Sequence, residues 1–116
     1  MPTEADVRRL ALALPETTEK PSYAMPGFRV GDKLFARIRE EPGVLVVWRP
    51  SVEDRYALIA SDAARFFTTP HFAGHPAVLV RLDAVDEAEL AELLAESWLV
   101  RAPAAVRRRH PDVGGG

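Results

Sequence analysis

The sequence predicts one α+β domain: a twisted antiparallel sheet, made of a β-meander and one further strand, with helices packed on one face. Three observations carry this. Apolar residues recur with a helical period near both ends of the chain. In the middle they alternate with a period of two, and turn residues separate the alternating runs. The length of 116 residues leaves room for one core only. The domain is expected over residues 1–103, followed by a mobile basic and glycine-rich tail over 104–116.

The first helix has both ends written into it. Thr3 is a cap and Asp6, three residues on, completes a capping box. Val7, Leu10, Ala11 and Leu14 then form one apolar stripe, and Pro15 stops it. From Glu16 to Pro26 the prolines and polar residues read as a loop with a short strand around Lys20–Ala24. Gly27–Val30 and Lys33–Arg39 read as strands joined by the tight turn Gly31-Asp32. Glu40-Glu41-Pro42-Gly43 turns the chain into a third strand, Val44–Trp48. Ser51 caps a second helix running to about Ala60. Asp62 caps a short helical turn that ends in Phe66-Phe67. Thr68–Pro76 is a loop rich in Pro, Gly and His, and Ala77–Leu82 is a further strand. Asp86 and Glu89 box the last helix, Val85 staples onto Leu90, and the helix runs to about Arg101 before Pro103. Arg107-Arg108-Arg109-His110 and Gly114–Gly116 show no apolar pattern.

Composition narrows the function classes. Apolar residues make up 47% and charged residues 28%, the proportions of a water-soluble globule. No apolar run approaches the ~20 residues of a membrane helix, and the first residues are polar and acidic, so a cytoplasmic protein with no membrane partner is expected. With no cysteine there is no disulfide framework, thiolate metal site or thiol nucleophile. Fifteen basic residues face 17 acidic ones, a net charge of −2. Duplex-DNA binders usually carry a basic excess, so nucleic acid would need a local basic face.

The meander offers one. Alternation puts Leu34, Ala36 and Ile38 on one face, with Leu45 and Val47 across a hairpin loop of even length. This purely apolar face must be covered by helices. Lys33, Phe35, Arg37 and Arg39 point the other way, with Val44, Val46 and Trp48 beside them. That face is expected to lie open to water. Cations flanking exposed rings suit single-stranded nucleic acid, because the cations meet phosphates while rings stack on bases, and DNA or single-stranded nucleic acid is the expected partner. Arg29 and Arg49 extend the set. The candidate binding residues are therefore Arg29, Lys33, Phe35, Arg37, Arg39, Trp48 and Arg49. The bland alternative is a solvated face whose Arg stems cover the rings.

Several local strings add a resemblance. Leu14-Pro15-Glu16 follows the first helix, and Phe28-Arg29-Val30-Gly31-Asp32-Lys33-Leu34-Phe35-Ala36 spans the first hairpin. Phe66-Phe67 precedes a Pro/His/Gly loop, Val80-Arg81-Leu82-Asp83 follows it, and Glu96-Ser97-Trp98-Leu99-Val100 lies in the last helix. In this order and spacing, over roughly Thr3 to Pro103, the chain resembles the MmcQ/YjbR family. The resemblance implies a CyaY-like fold and DNA binding through a pair of β-hairpin wings. The chain departs from the family where a Trp often opens the strand after the Gly/His loop: here His75-Pro76-Ala77 stands. The wing tip, Glu40-Glu41, would repel phosphate.

The remaining candidates are weaker. His71 and His75 have ligand spacing, but prolines and Gly74 argue against a helix there and no carboxylate lies within the loop. They are read as loop histidines, and no metal or cofactor is expected. Glu87, Glu89, Glu92 and Glu96 resemble the acidic ridge with which frataxin-like proteins hold iron, yet an acidic outer face is the ordinary solvated surface of a helix. No nucleophile elbow, phosphate-cradling loop or zinc-protease motif occurs, and Ser22, Ser51, Ser61 and Ser97 each lack a nearby His. A non-enzymatic protein is expected. The leading reading is nucleic-acid binding, and the alternative is an interaction or homodimerisation module using Phe35, Val46 and Trp48. A small-ligand binder or enzyme would need a concave pocket in the Thr68–Pro76 region.

Overall fold

A computed structural model describes residues 2–72 and 74–113. In chain order the elements are α1 (Glu4–Leu12), β1 (Thr17–Ser22), β2 (Met25–Val30), β3 (Lys33–Ile38), β4 (Val44–Trp48), α2 (Val52–Ser61), β5 (Phe66–Phe67), β6 (Ala77–Arg81), α3 (Glu87–Arg101) and α4 (Ala104–Arg109). Single turns of 3-10 helix lie at Pro70–Phe72 and Leu82–Ala84. Three of the four predicted caps form, Thr3 with Asp6, Ser51 with the Asp54 amide, and Asp86 with Glu89, while Asp62 is instead the C-cap of α2.

The strands make one antiparallel sheet of six in the order β1-β2-β3-β4-β6-β5. Helices cover one face. Val7 and Ala11 of α1 and Leu90, Leu94 and Trp98 of α3 are fully buried against Phe28, Val30, Ala36, Ile38, Leu45, Val47, Val78 and Val80. Trp98 also donates its indole N–H to the Pro15 carbonyl at 3.0 Å. The α+β class is as the sequence predicts.

Two segments differ from expectation. Residues 16–26 hold more strand than the short one expected around Lys20–Ala24: β1 and β2 form a hairpin closed by Tyr23-Ala24. Pro21 lies opposite Pro26, one pair beyond the turn, at a non-hydrogen-bonded position where neither needs an N–H. Phe66-Phe67 is not helical. It adds a two-residue edge strand that sets Phe66 opposite Val80 in the core and Phe67 opposite Leu79 on the outer face.

The pleat of β3 carries the main correction. Phe28 pairs with Ala36 but Arg29 pairs with Leu34, so Phe35 is an extra residue, a β-bulge. Below the bulge the expected alternation holds: Ala36 and Ile38 face the helices beside Val47 and Leu45. Above it the faces exchange. Phe35, expected outward, is fully buried in the helix-covered core, while Leu34, expected inward, reaches the outer face. Continuing the β3–β4 ladder would pair Phe35 with Trp48. Instead the Ser97 hydroxyl of α3 enters between the strands, accepting from the Trp48 N–H at 2.8 Å and donating to the Phe35 carbonyl. Arg101, one turn on, donates Nε–H to the Leu34 carbonyl at 2.9 Å.

The outer face is not bare either. Val44, Val46, Ala77 and Leu79 form a second buried cluster, with Trp48, Phe67 and Phe72 packed on it. Phe72 comes from the Thr68–Pro76 loop, which folds over this side of the sheet.

The chain beyond Pro103, expected to be mobile, holds α4 and docks. Val106 is buried in the main core and Val113 packs on it. Arg109 meets Glu16 at 2.7 Å and His110 meets it at 2.8 Å. Sequence periodicity missed α4 because a six-residue helix buries one apolar side chain and shows no stripe. Gly114–Gly116, also expected to be mobile, lie outside the described residues. Gly31, at φ +54°, sits against Pro103: a Cβ there would lie 2.7 Å from the Pro103 Cγ.

Replacing Ser97 with Ala leaves the Trp48 N–H and Phe35 carbonyl buried without their bridge. Stability should fall by about 1–3 kcal/mol, read as a lower urea midpoint at unchanged slope; a change below ~0.5 kcal/mol would contradict the bridge. The α4 dock makes a pH-dependent prediction. Hydrogen bonds from Arg109 and then His110 lower the Glu16 pKa from 4.5 to about 2. Its folded-state pKa is depressed, so its stabilisation is present above pH 4.5 and lost as pH falls toward about 2. Near-UV dichroism of Trp98, in a Trp48→Phe background, should change in that window, and Glu16→Gln should remove that part of the acid dependence.

Candidate functional site

The bulge, the Ser97 bridge and the folded-over loop together hollow out the outer face. One hollow of about 210 Å³ has an apolar floor of Leu34, Val46 and Ala77 and walls of Trp48 and Phe72, with His75 at its edge. A second, of about 380 Å³, is lined by Arg39 and Glu40. Tyr23, Arg37 and His71 line both, so the two are halves of one groove, apolar at one end and mainly cationic at the other.

Each wall has an identifiable support. Trp48 is held from behind by Ser97, and the Arg101 guanidinium lies 5.0 Å from its ring centroid. Phe72 is carried on a 3-10 turn whose carbonyl, together with that of His75, accepts from Arg55 Nη1 of α2, both at 2.6 Å. Arg55 is 1% exposed, so this long side chain pins the loop from inside. Arg37 donates Nε–H to the Ser22 carbonyl at 3.1 Å and stands 5.2 Å from the Tyr23 ring centroid. It therefore ties the floor to the β1–β2 turn.

That turn is unusual. Tyr23 and Ala24 have φ of +53° and +66°, the pattern of a type I′ hairpin turn that Asn and Gly adopt freely. For other residues the left-handed region costs about 1–2 kcal/mol each. Tyr23 recovers nothing by burial, being 87% exposed.

The predicted binding residues disperse around this geometry. Arg37, Arg39 and Trp48 are at the groove, Arg39 with its guanidinium 5.7 Å from the Phe72 ring. Phe35 is in the core, as described, and offers no stacking surface. Arg49 turns to the helix side, where it binds Asp54 at 2.6 Å and Glu96 at 3.1 Å. Burial works against its charge, but the hydrogen bonds to Asp54 and Glu96 outweigh this and raise its pKa. Lys33 pairs with Val30 and so shares the helix-bearing face, exposed beside the turn. Arg29 is on the outer face but turns its guanidinium to the Asp32 carbonyl at 3.4 Å.

The cations at the groove have partners. Arg37 pairs with Glu40, and Arg39 with Glu41 at 2.7 Å. Both carboxylates are about half exposed, while the arginine side chains are largely buried, at 10% and 16%, so each pair turns its carboxylate end to water. The Glu40 carboxyl is lowered first by its own backbone N–H and then by Arg37. On α3, Glu87, Glu89 and Glu96 are ion-paired to Arg9, Arg65 and Arg49. His71 and His75 share the groove, and among the described residues no three acidic or histidine side chains group as metal ligands.

Fold and groove together define a small α+β protein with an amphipathic, ring-lined groove on the sheet face opposite its helices. A family model described as YjbR matches residues 12–100, and the chain belongs to the YjbR family. It is 41% identical over 120 residues to the uncharacterized protein Rv2570 of Mycobacterium tuberculosis (strain ATCC 25618 / H37Rv), covering 89% of this chain and 91% of that one. The same values hold for the uncharacterized protein Mb2600 of Mycobacterium bovis. No solved structure matches. Among the described residues no helix is long and apolar enough to cross a membrane.

Sequence reasoning missed Tyr23 and Phe72. Tyr23 carried no signal, because Tyr-Ala is not a turn dipeptide. Phe72 lay in a loop read only for its His, Pro and Gly residues. Substituting Arg55 with Met should cost about 1–3 kcal/mol, since the His75 carbonyl loses its Arg55 donor and the Phe72 carbonyl keeps only the His75 N–H, and should speed amide exchange in residues 69–77 more than in α3. Uniform protection across the loop would contradict Arg55 as its pin.

Proposed function

We propose that this chain is a non-enzymatic nucleic-acid-binding protein, a CyaY-like domain that holds DNA or single-stranded nucleic acid in the groove of its outer sheet face. The supporting observation is the division of that groove. Trp48, Phe72 and Tyr23 surround an apolar half, and Arg37, Arg39 and His71 stand at the other half. Rings beside guanidinium groups match bases beside phosphates. The net charge of −2 makes attraction local: phosphates displace Glu40 and Glu41 from their arginines, and binding weakens with salt.

A second reading has one observation in its favour. Tyr23, 87% exposed, projects beside an apolar hollow, as a contact between two copies of the chain would require. Light scattering separates the two: a dimer that dissociates when nucleic acid is added belongs to the first reading, and one indifferent to it belongs to the second.

Fluorescence anisotropy with labelled single-stranded and duplex DNA tests the proposal. Binding at ~50 mM salt should weaken about tenfold by ~200 mM, as expected for roughly two neutralised phosphates. Arg37→Glu with Arg39→Glu should abolish most of it. Lys33→Glu with Arg108→Glu, the same charge change outside the groove, should leave it intact. No binding to either DNA at ~50 mM salt would sink the proposal.

A further inference from the structure

We propose that the ligand unit taken by the groove is a single unpaired nucleotide, and that Tyr23 is the residue that selects it. This rests on the nucleic-acid reading above and narrows it. The apolar half measures about 210 Å³, below the ~300–1,000 Å³ of sites for drug-sized ligands. It has room for one ring and not for a stacked pair. A base inside a duplex has both faces covered by its neighbours, whereas an unpaired base presents its faces to aromatic side chains.

Tyr23 is placed to supply the outer of those contacts. Its ring projects from the β1–β2 turn at the border of the two halves, above Arg37, with its centroid 5.2 Å from the guanidinium. The backbone there is left-handed at both turn residues, where Asn-Gly would sit without strain. An aromatic residue in a strained turn, 87% exposed, is poorly explained by folding alone, since the strain is offset by no burial. Stacking on a base gives it a use. A ring sandwiched between Tyr23 and the Trp48 side of the hollow leaves its phosphate at Arg37, Arg39 and His71. Glu40 and Glu41, which now hold the two arginines, are the carboxylates that the phosphate replaces.

The test uses the full chain, an oligonucleotide of about 12 residues in single-stranded and blunt duplex form, and a nucleoside 5′-monophosphate as competitor. The change in tryptophan emission, absent in Trp48→Phe, reports occupancy of the groove. The single strand should bind about tenfold or more tightly than the duplex, and the mononucleotide should compete with it. Tyr23→Asn with Ala24→Gly should cost the single strand about tenfold or more while leaving duplex binding and raising or preserving Tm; Tyr23→Phe should keep both. Equal affinity for the two forms overturns the inference, as does single-strand binding unaffected by the double substitution. Loss of binding together with a lower Tm makes Tyr23 a packing residue and also overturns it. In each of those cases a persisting effect of Arg37→Glu with Arg39→Glu keeps the broader function standing. Absence of all nucleic-acid binding removes both.

Discussion

The Ser97 hydroxyl occupies the place of a β-ladder bond. It sits where Phe35 and Trp48 would exchange backbone hydrogen bonds, serving the amide of one and the carbonyl of the other. The geometry on both sides of the sheet follows. With Ser97 between the strands, Phe35 swings to the helices and Leu34 to the outer face. Trp48 keeps its backbone satisfied while its side chain stands free to wall a groove. A serine on α3 thereby bears on a feature of the opposite surface, because a buried amide or carbonyl must find some partner and Ser97 serves both.

Arginine performs most of the remaining long-range work, and rarely as a bare surface charge. Arg55 is spent inside the protein on loop carbonyls, Arg49 joins α2 to α3 through two carboxylates, and Arg109 fastens α4 to Glu16. The fork geometry of guanidinium suits such multiple acceptors. A count of charges treats these residues as equivalent. In the fold most are internal ties; Arg37 is one through Ser22, yet its partner Glu40, like Glu41 beside Arg39, faces water.

The α+β class, the caps of three helices, the core stripes of α1 and α3 and the β3–β4 face below the bulge were all legible in the sequence, since each depends on spacing along one element. What escaped depends on contacts between elements. No local pattern around Phe35 announces a bulge whose carbonyl is met by the hydroxyl of Ser97, 62 residues away. A single reversal of pleat then moved Phe35 and Lys33 out of the expected binding face and Leu34 into it. The β1–β2 hairpin was hidden by Pro21 and Pro26, which look like breakers until their cross-strand pairing is known. The groove itself was anticipated only as a condition, a concavity near Thr68–Pro76. Its composition drew on Tyr23 and Phe72, which no motif marked.

The sheet's two borders carry one more consequence. At one end lies β5, only two residues long. At the other lies β1, with Pro21 lacking an amide hydrogen and with Glu19 and Lys20 side by side. Neither border offers a long, flat, apolar row of free backbone groups on which a second chain could extend the ladder. Fibril-like growth by strand addition is therefore blocked at both margins, and crowded solutions of this protein should stay clear where an open-edged sheet of the same size would cloud.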